Sequence, residues 1–243
     1  MDPDSGKKLV ATILAARHPR AKAGLLCGSI ATRTPRIHSD IDLIIFYDWI
    51  GNSYLESFLL DGRRVESIIF DAETSYHRMI AERKHGYCTH AEMVRHGIEL
   101  PGPCVLSSDQ KKLAQQIIEL GPPPFDSGTH RYAISMVLAD FEDCIDTAEG
   151  LAIITDLYKG LAIFYLRANG LWCHAGKHLA KALSKENPQF CLELNASFVS
   201  YCSLGHKEPI LSISRALLQP YGGLFTGCYR SESSALFRFP LPK

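Results

Sequence analysis

The sequence predicts an α/β (α+β) fold in which a mixed sheet flanked by helices is followed by an all-helical bundle. Short apolar runs with strand character occur before residue 71, and helical patterns follow them to the end of the chain. The segment Gly121-Pro122-Pro123-Pro124 separates the two parts, because such a proline run cannot continue a helix. We therefore expect two domains, residues 1–121 and 125–243.

The predicted strands rest on apolar runs and on one strong turn signal. The dipeptide Asp61-Gly62 is typical of a two-residue hairpin turn between two strand-like segments. A turn of that length pairs Leu60 with Arg63, and it pairs Ser57 with Glu66. The strands that we predict are residues 24–27, 40–46, 54–60 and 63–70.

The predicted helices follow from apolar stripes and from residues that cap helix ends. Ser5 is the expected cap of the first helix, Thr89 begins a capping box with Glu92, and Ser107 opens a further helix. In the first domain we expect helices near residues 5–18, 72–84, 89–97 and 107–120. In the second domain we expect them at 129–149, 151–169, 173–186, 188–203 and 208–219.

Composition narrows the class of protein. The chain has 243 residues, a net charge of zero, 46% hydrophobic residues and 21% charged residues, as in ordinary globular proteins. Zero net charge argues against a protein that follows a long nucleic acid, which usually carries a basic surface. The eight cysteines form no Cys-x-x-Cys pair, the N-terminus is polar, and no apolar stretch is long enough to span a membrane. We expect free thiols and a cytoplasmic location.

Two aspartates at the start of an apolar strand are the most informative feature. Asp40 and Asp42 are two residues apart in Asp40–Phe46, and residues with this spacing share one face of a strand. Side by side, the two carboxylates would repel each other and lose hydration. A divalent cation removes both penalties, and carboxylate oxygens together with phosphate suit Mg²⁺. Gly28 allows close approach of backbone to a phosphate, and Ser29 adds a hydroxyl donor.

The motif Cys27-Gly28-Ser29, followed by Asp40-Ile41-Asp42-Leu43, resembles the signature of the DNA polymerase β-like nucleotidyltransferase superfamily. The resemblance is specific across Gly28–Phe70, and beyond it the two-domain layout is similar to that of kanamycin/aminoglycoside-type, small-molecule nucleotidyltransferases. It implies Mg²⁺-dependent transfer of a nucleoside monophosphate, most simply AMP from ATP, to a hydroxyl group of a small molecule, with release of pyrophosphate. It also implies a two-metal site and a homodimer as one possible assembly.

The resemblance assigns roles in the first domain. Asp40 and Asp42 are expected to be catalytic residues that ligate the metal, and Gly28 and Ser29 to hold the β- and γ-phosphates. Ser39 either orients Asp40, contacts phosphate, or caps a turn. The family places a third carboxylate, a metal ligand or base, on the strand after the aspartate pair, and the best match is Glu66. Asp71 is the alternative, with a helix cap as its simpler role.

Four further residues each have two possible roles. Arg33 and Arg36, in the loop between the two halves of the motif, either contact the triphosphate or are solvated loop charges. Lys177 begins a helix of the second domain and is a candidate phosphate-binding lysine or a surface lysine. Asp140 lies near the edge of the apolar stripe 134–148 and is the candidate base for the acceptor, expected in a cleft between domains, or an exposed helix residue.

The sequence also allows other functions. The acceptor could be a protein, as for adenylyltransferases of the toxin–antitoxin type, or the chain could be a non-catalytic nucleotide-binding regulatory module. A fused helical domain favours a self-contained enzyme, and retention of Asp40, Asp42 and Glu66 argues against a degenerate module. Nucleic acid is a disfavoured acceptor because the chain has no net positive charge.

Overall fold

The structure is a computed structural model that describes residues 3–35 and 39–232. The chain forms two compact units: Met1–Pro124 with Asn169–His174, and Phe125–Ala168 with Ala175–Lys243. The sequence did not indicate that the short segment Asn169–His174 would belong with the first unit. The fold class is confirmed, because a mixed sheet flanked by helices is followed by helices alone.

Within the described residues, the sheet of the first unit has five strands: β1 Ala23–Leu26, β2 Ile41–Phe46, β3 Tyr54–Leu60, β4 Arg63–Phe70 and β5 Ile98–Leu100. Their order in the sheet is β3-β4-β2-β1-β5. Strand β2 is parallel to β4, and the other neighbours are antiparallel. The predicted hairpin register is confirmed, since Leu60 pairs with Arg63 and Ser57 with Glu66. Asp61 and Gly62 have φ angles of 49° and 75°, as the predicted turn requires.

Helices cover both faces of this sheet. Alternate residues of β2, such as Ile44 and Phe46, pack against one helical layer, whereas Leu43 and Ile45 pack against the other. The first layer contains α3 Ala72–Lys84, α4 Thr89–His96 and α5 Val105–Glu119. The opposite layer contains α1 Pro3–Arg17 and the short α2 Gly28–Ala31. Burial on both faces explains why β2 is apolar from Leu43 onward.

The second unit is helical, and its first helix boundary differs from the prediction. The chain breaks at Cys144–Asp146 and not at Gly150, which lies inside a helix. A Cβ atom at position 150 would lie 1.9 Å from the Tyr201 hydroxyl. Glycine at this position therefore leaves room for the Tyr201 side chain, and it does not end the helix. The helices are α6 Ser127–Asp143, α7 Thr147–Ala168, α8 Lys177–Glu186, α9 Pro188–Leu204 and α10 Glu208–Leu218, followed by a 3₁₀ turn at Gln219–Tyr221.

Three helix starts in the first unit also differ from the prediction. Helix α1 begins at Pro3, so Ser5 lies within it and not at its N-cap position. Thr89 is the first residue of α4 and not its cap, and the preceding Cys88 makes no capping hydrogen bond with its side chain. Helix α5 begins two residues before Ser107, because Cys104 and Ser107 form a capping box. Within the described residues, no helix combines the length and apolar character needed to cross a membrane.

Candidate active site

Parallel pairing of β2 and β4 brings the acidic residues together. Asp42 is in register with Glu66, so both side chains lie on one face of neighbouring strands. Asp40 comes immediately before β2. One carboxylate oxygen from each of Asp40, Asp42 and Glu66 lies within 4.8 Å of the others, and all three residues are half-buried. These residues form a group that could hold a metal ion.

Gly28 makes the close approach of Asp42 possible. Its φ angle is +63°, in the left-handed region that favours glycine, and a Cβ atom there would lie 1.8 Å from Asp42 Oδ2. The loop is anchored to β2, because the Cys27 backbone N–H donates to the Asp42 carbonyl oxygen at 2.8 Å. Glycine at this position is therefore a condition for the observed position of the Asp42 carboxylate.

The charges at this site favour a bound cation. Three carboxylates converge, and the guanidinium of Arg64 lies 4.0 Å from Glu66 Oε1 in an exposed pair that solvent screens. Burial raises the pKa of the Cys27 thiol, and the nearby Asp42 carboxylate raises it further, so this thiol stays neutral. A Mg²⁺ ion bound at about 2.1 Å holds its ligand oxygens roughly 3–4 Å apart, and one carboxylate oxygen of each of the three residues lies within 4.8 Å of the others. The donor set fits a hard divalent cation.

Asp71, the alternative third carboxylate, has a different role. Its buried side chain caps α3, accepting from the backbone N–H of Thr74 at 2.8 Å and from that of Ile50 at 3.0 Å. Burial would raise the pKa of Asp71, but the hydrogen bonds from Thr74 and Ile50 lower it below its ordinary value. Glu66, and not Asp71, joins the aspartate pair.

The residues predicted to bind phosphate in the first unit lie at the start of α2, in the turn after it and just before Asp40. Gly28 and Ser29 begin α2, and Ser39 precedes Asp40 in the chain. Arg33 is exposed in the turn after α2, with a φ angle of 58° and its backbone N–H bonded to the Ile30 carbonyl oxygen. Arg36 lies outside the described residues. The phosphate contacts of these residues stay predictions.

The two candidates in the second unit are both exposed. Lys177 is the first residue of α8, and Asp140 lies in the last turn of α6. Asp140 was selected from a predicted apolar stripe over residues 134–148. The C-terminal end of that stripe is wrong, because α6 ends at Asp143 and Ile145 is 98% exposed. Asp140 lines an open, acidic depression of about 640 Å³ together with Asp143, Cys144, Ile145, Asp146, Glu149 and Ile153. Its role as a base stays a prediction.

Two neighbours of the acidic group received no role from the sequence. Arg64 lies beside Glu66, and its signal was the two-residue spacing that places both side chains on one face of β4. Ser57 is the cross-strand partner of Glu66, and the turn at Asp61-Gly62 was enough to predict that pairing, although no role was assigned to it. Both lie on the side of the site formed by the hairpin.

Comparison with known proteins gives little beyond the geometry. No protein-family model matches the sequence, and no curated protein matches it. Among solved structures, the chain is similar to a nucleotidyltransferase-like protein from Exiguobacterium sibiricum 255-15. The two share 12% sequence identity, the match covers 89% of this chain and 74% of that one, and the TM-score is 0.44.

Proposed function

We propose that this protein is a Mg²⁺-dependent nucleotidyltransferase that transfers AMP from ATP to a hydroxyl group of a small molecule. The observation that carries the proposal is the convergence of three carboxylates, two on neighbouring parallel strands and one just before β2, next to a glycine whose missing side chain makes room for one of them. Carboxylates in this number and spacing suit a divalent cation that also binds phosphate oxygens.

In the proposed reaction, the acceptor hydroxyl oxygen bonds to the α-phosphorus of the nucleotide and the bond to pyrophosphate breaks. Asp40, Asp42 and Glu66 would hold the metal, which when bound neutralises and aligns the phosphates. Gly28 and Ser29, with Arg33, Ser39 and Lys177 as further candidates, would position the triphosphate. The hydroxyl proton would pass to a carboxylate, either Glu66 or Asp140.

The first test is nucleotide binding measured by thermal shift. ATP, GTP, CTP and UTP are each added with Mg²⁺ or with EDTA to the wild type and to Asp42→Asn. Ligand at 100 times its Kd stabilises a protein by about 2.7 kcal/mol, which a thermal shift detects. We expect a Mg²⁺-dependent shift, largest with ATP, that Asp42→Asn abolishes.

Asp48→Asn is the matched control. Asp48 follows β2, is 74% exposed and pairs with Lys22, so its loss removes an equal charge outside the acidic group. The control should keep the nucleotide shift. If no nucleotide stabilises the wild type, the proposal fails.

Nucleotide binding would then direct a search for the acceptor. Pyrophosphate release is measured with hydroxylated small molecules, cationic ones first, because the second unit carries an acidic surface near Asp140. Release stimulated by one of them supports a small acceptor. Binding without stimulated release, together with label transfer from ATP to a protein, would instead support a protein-modifying adenylyltransferase.

A further inference from the structure

Strand β3 is an edge of the sheet with a pattern suited to pairing. It lies at one end of the strand order and spans Tyr54–Leu60. Across the described part of the chain, no backbone hydrogen bond links β3 to any segment except β4. Its outer edge therefore presents N–H and C=O groups that can pair with another strand.

The turn geometry identifies which backbone groups point outward. In a hairpin with a two-residue turn, the residues flanking the turn, Leu60 and Arg63, form a hydrogen-bonded pair. Hydrogen-bonded and non-hydrogen-bonded pairs alternate along an antiparallel ladder. Leu55, Ser57 and Leu59 consequently direct their N–H and C=O groups away from β4. The open edge offers three donors and three acceptors in a row.

The edge lacks several of the features that prevent pairing in natural edge strands. Natural edge strands carry lysines, prolines or bulges, and Tyr54–Leu60 has none of these, since its register with β4 is continuous. Leu55 and Leu59 are 61% and 72% exposed. The single charge, on Glu56, is bound within its own unit by His18 at 2.8 Å and Arg17 at 3.5 Å. Both leucines lie on one face of the edge strand, where a second strand would cover part of their apolar surface.

We propose that β3 pairs with β3 of a second copy of this chain, antiparallel and about a two-fold axis at Ser57. This register aligns all of Tyr54–Leu60 and places Leu55 opposite the partner's Leu59. It forms hydrogen-bonded pairs at Leu55, Ser57 and Leu59, where the outward groups lie.

Charge disfavours a neighbouring register and supports a second copy as the occupant. An axis at Glu56 would set two glutamates directly opposite, which is unfavourable. An axis at Ser57 sets Glu56 opposite the partner's Phe58. In this chain the Arg17 guanidinium lies 4.1 Å above the Phe58 ring. Each Glu56 would therefore lie close to Arg17 of the partner subunit.

Pairing would also fix the distance between the two candidate active sites. Ser57 is in register with Glu66, and Glu66 with Asp42, so the axis lies in the row that contains two of the carboxylates. The two sheets would become continuous. At about 4.8 Å between strands, the two Asp42 positions would be about 24 Å apart on the same face.

The test is the mass in solution, measured by sedimentation equilibrium over a range of protein concentrations. We expect the wild type to approach twice the chain mass of 27.0 kDa. Leu55→Lys/Leu59→Lys should return it to the monomer. Leu192→Lys/Val199→Lys, on exposed positions of α9 (67% and 62% exposed), adds the same charge elsewhere and should leave the dimer intact. A monomeric wild type, or a dimer that survives the β3 lysines, would overturn the proposal.

Cross-linking tests the register independently of stability. In a Cys202→Ser/Cys228→Ser background, which removes the exposed native thiols, Ser57→Cys places two thiols at the axis. Paired Cα atoms about 5.5 Å apart can form a disulfide. Ser53→Cys, exposed just before β3, would be about 26 Å from its mate at 3.3 Å per residue. We expect a covalent dimer from Ser57→Cys alone; cross-linking at position 53 and not at 57 would contradict the register.

Discussion

At the scale of single residues, the candidate metal site depends on an absent side chain as much as on the carboxylates. Asp42 Oδ2 occupies the space where a Cβ atom of residue 28 would lie. The left-handed φ of Gly28 adds a second reason for glycine, because other residues pay about 1–2 kcal/mol in that region. The position of Asp42 is thus fixed by both the loop and the strand.

We predict that Gly28→Ala removes Mg²⁺-dependent nucleotide binding while the protein stays folded. The new methyl group must displace the Asp42 carboxylate, which separates it from Asp40 and Glu66. The nucleotide thermal shift with and without Mg²⁺ measures the effect. Gly62→Ala is the control, because its φ of +75° imposes similar strain and nothing lies within 4 Å of its new Cβ. Unchanged binding in Gly28→Ala would show that the Asp42 position is not required.

A buried histidine should make stability depend on pH. Burial, and then the nearby Arg78, lower the pKa of His90 to about 3 from an ordinary value of 6.5. The folded protein keeps His90 neutral, bonded to the Ser75 hydroxyl at 3.0 Å, whereas the unfolded chain protonates it below pH 6.5. Its stabilising contribution is complete above pH 6.5 and is lost as the pH falls toward 3, by up to about 1.4 kcal/mol per pH unit.

Urea unfolding between pH 5 and pH 7 would measure this slope. His90→Gln keeps a hydrogen-bonding side chain without a titrating group, so its stability should change less steeply with pH than that of the wild type. Equal slopes for both proteins would mean that His90 is protonated in the folded state.

At the scale of helices and strands, the sequence predicted the elements that nearby residues determine. It did not predict an element that depends on pairing with a distant segment. The hairpin at Asp61-Gly62 has the predicted turn, strands and register, because the turn alone determines them. Strand β5 has three residues and no periodicity, and it exists because it pairs with β1 about seventy residues away. The cap at Cys104 was missed because cysteine is not a usual capping residue.

The candidate site shows the same division. Glu66 was predicted as the third carboxylate from the family resemblance, and the structure brings it together with Asp40 and Asp42. Asp140 was selected from a helix that continues past residue 143, and α6 ends there. Helical periodicity cannot reveal such an end when apolar residues continue beyond it.

The contact between Gly150 and Tyr201 gives a prediction at this scale. Gly→Ala inside a helix normally stabilises by about 1 kcal/mol. At position 150 in α7 the new Cβ atom would lie 1.9 Å from the Tyr201 hydroxyl, so we expect Gly150→Ala to destabilise by about 1–3 kcal/mol. Tyr201→Phe removes the colliding oxygen and should recover part of the loss in the double variant. Urea unfolding measures all four proteins; additive effects would contradict the contact.

At the scale of the whole molecule, the first unit depends on a segment distant in sequence. Asn169–His174 belongs to that unit, the Cys173 N–H donates to the Gly86 carbonyl oxygen at 2.7 Å, and Trp172 packs against its core. The core of the candidate catalytic unit is therefore completed by residues that follow α7.

We predict that Trp172→Ala lowers the free energy of unfolding by about 2–3 kcal/mol, somewhat less than a fully buried tryptophan, because Trp172 is half-buried. Trp49→Ala is the control, since Trp49 is 76% exposed and surface changes are usually within about 0.5 kcal/mol. Urea unfolding followed by circular dichroism compares them. Equal, small effects would mean that the segment 169–174 adds little to the first unit.

The most direct test of the whole account is the affinity for ATP measured calorimetrically with Mg²⁺ and with EDTA, in the wild type and in Glu66→Gln. Glu66 belongs to the carboxylate group only if β2 and β4 pair as described. We predict that Mg²⁺ increases ATP affinity in the wild type at least tenfold, which corresponds to about 1.4 kcal/mol. Glu66→Gln should lose most of that increase. ATP affinity that is independent of Mg²⁺, or a Mg²⁺ effect that Glu66→Gln leaves unchanged, would contradict a metal-dependent nucleotide site at these three carboxylates.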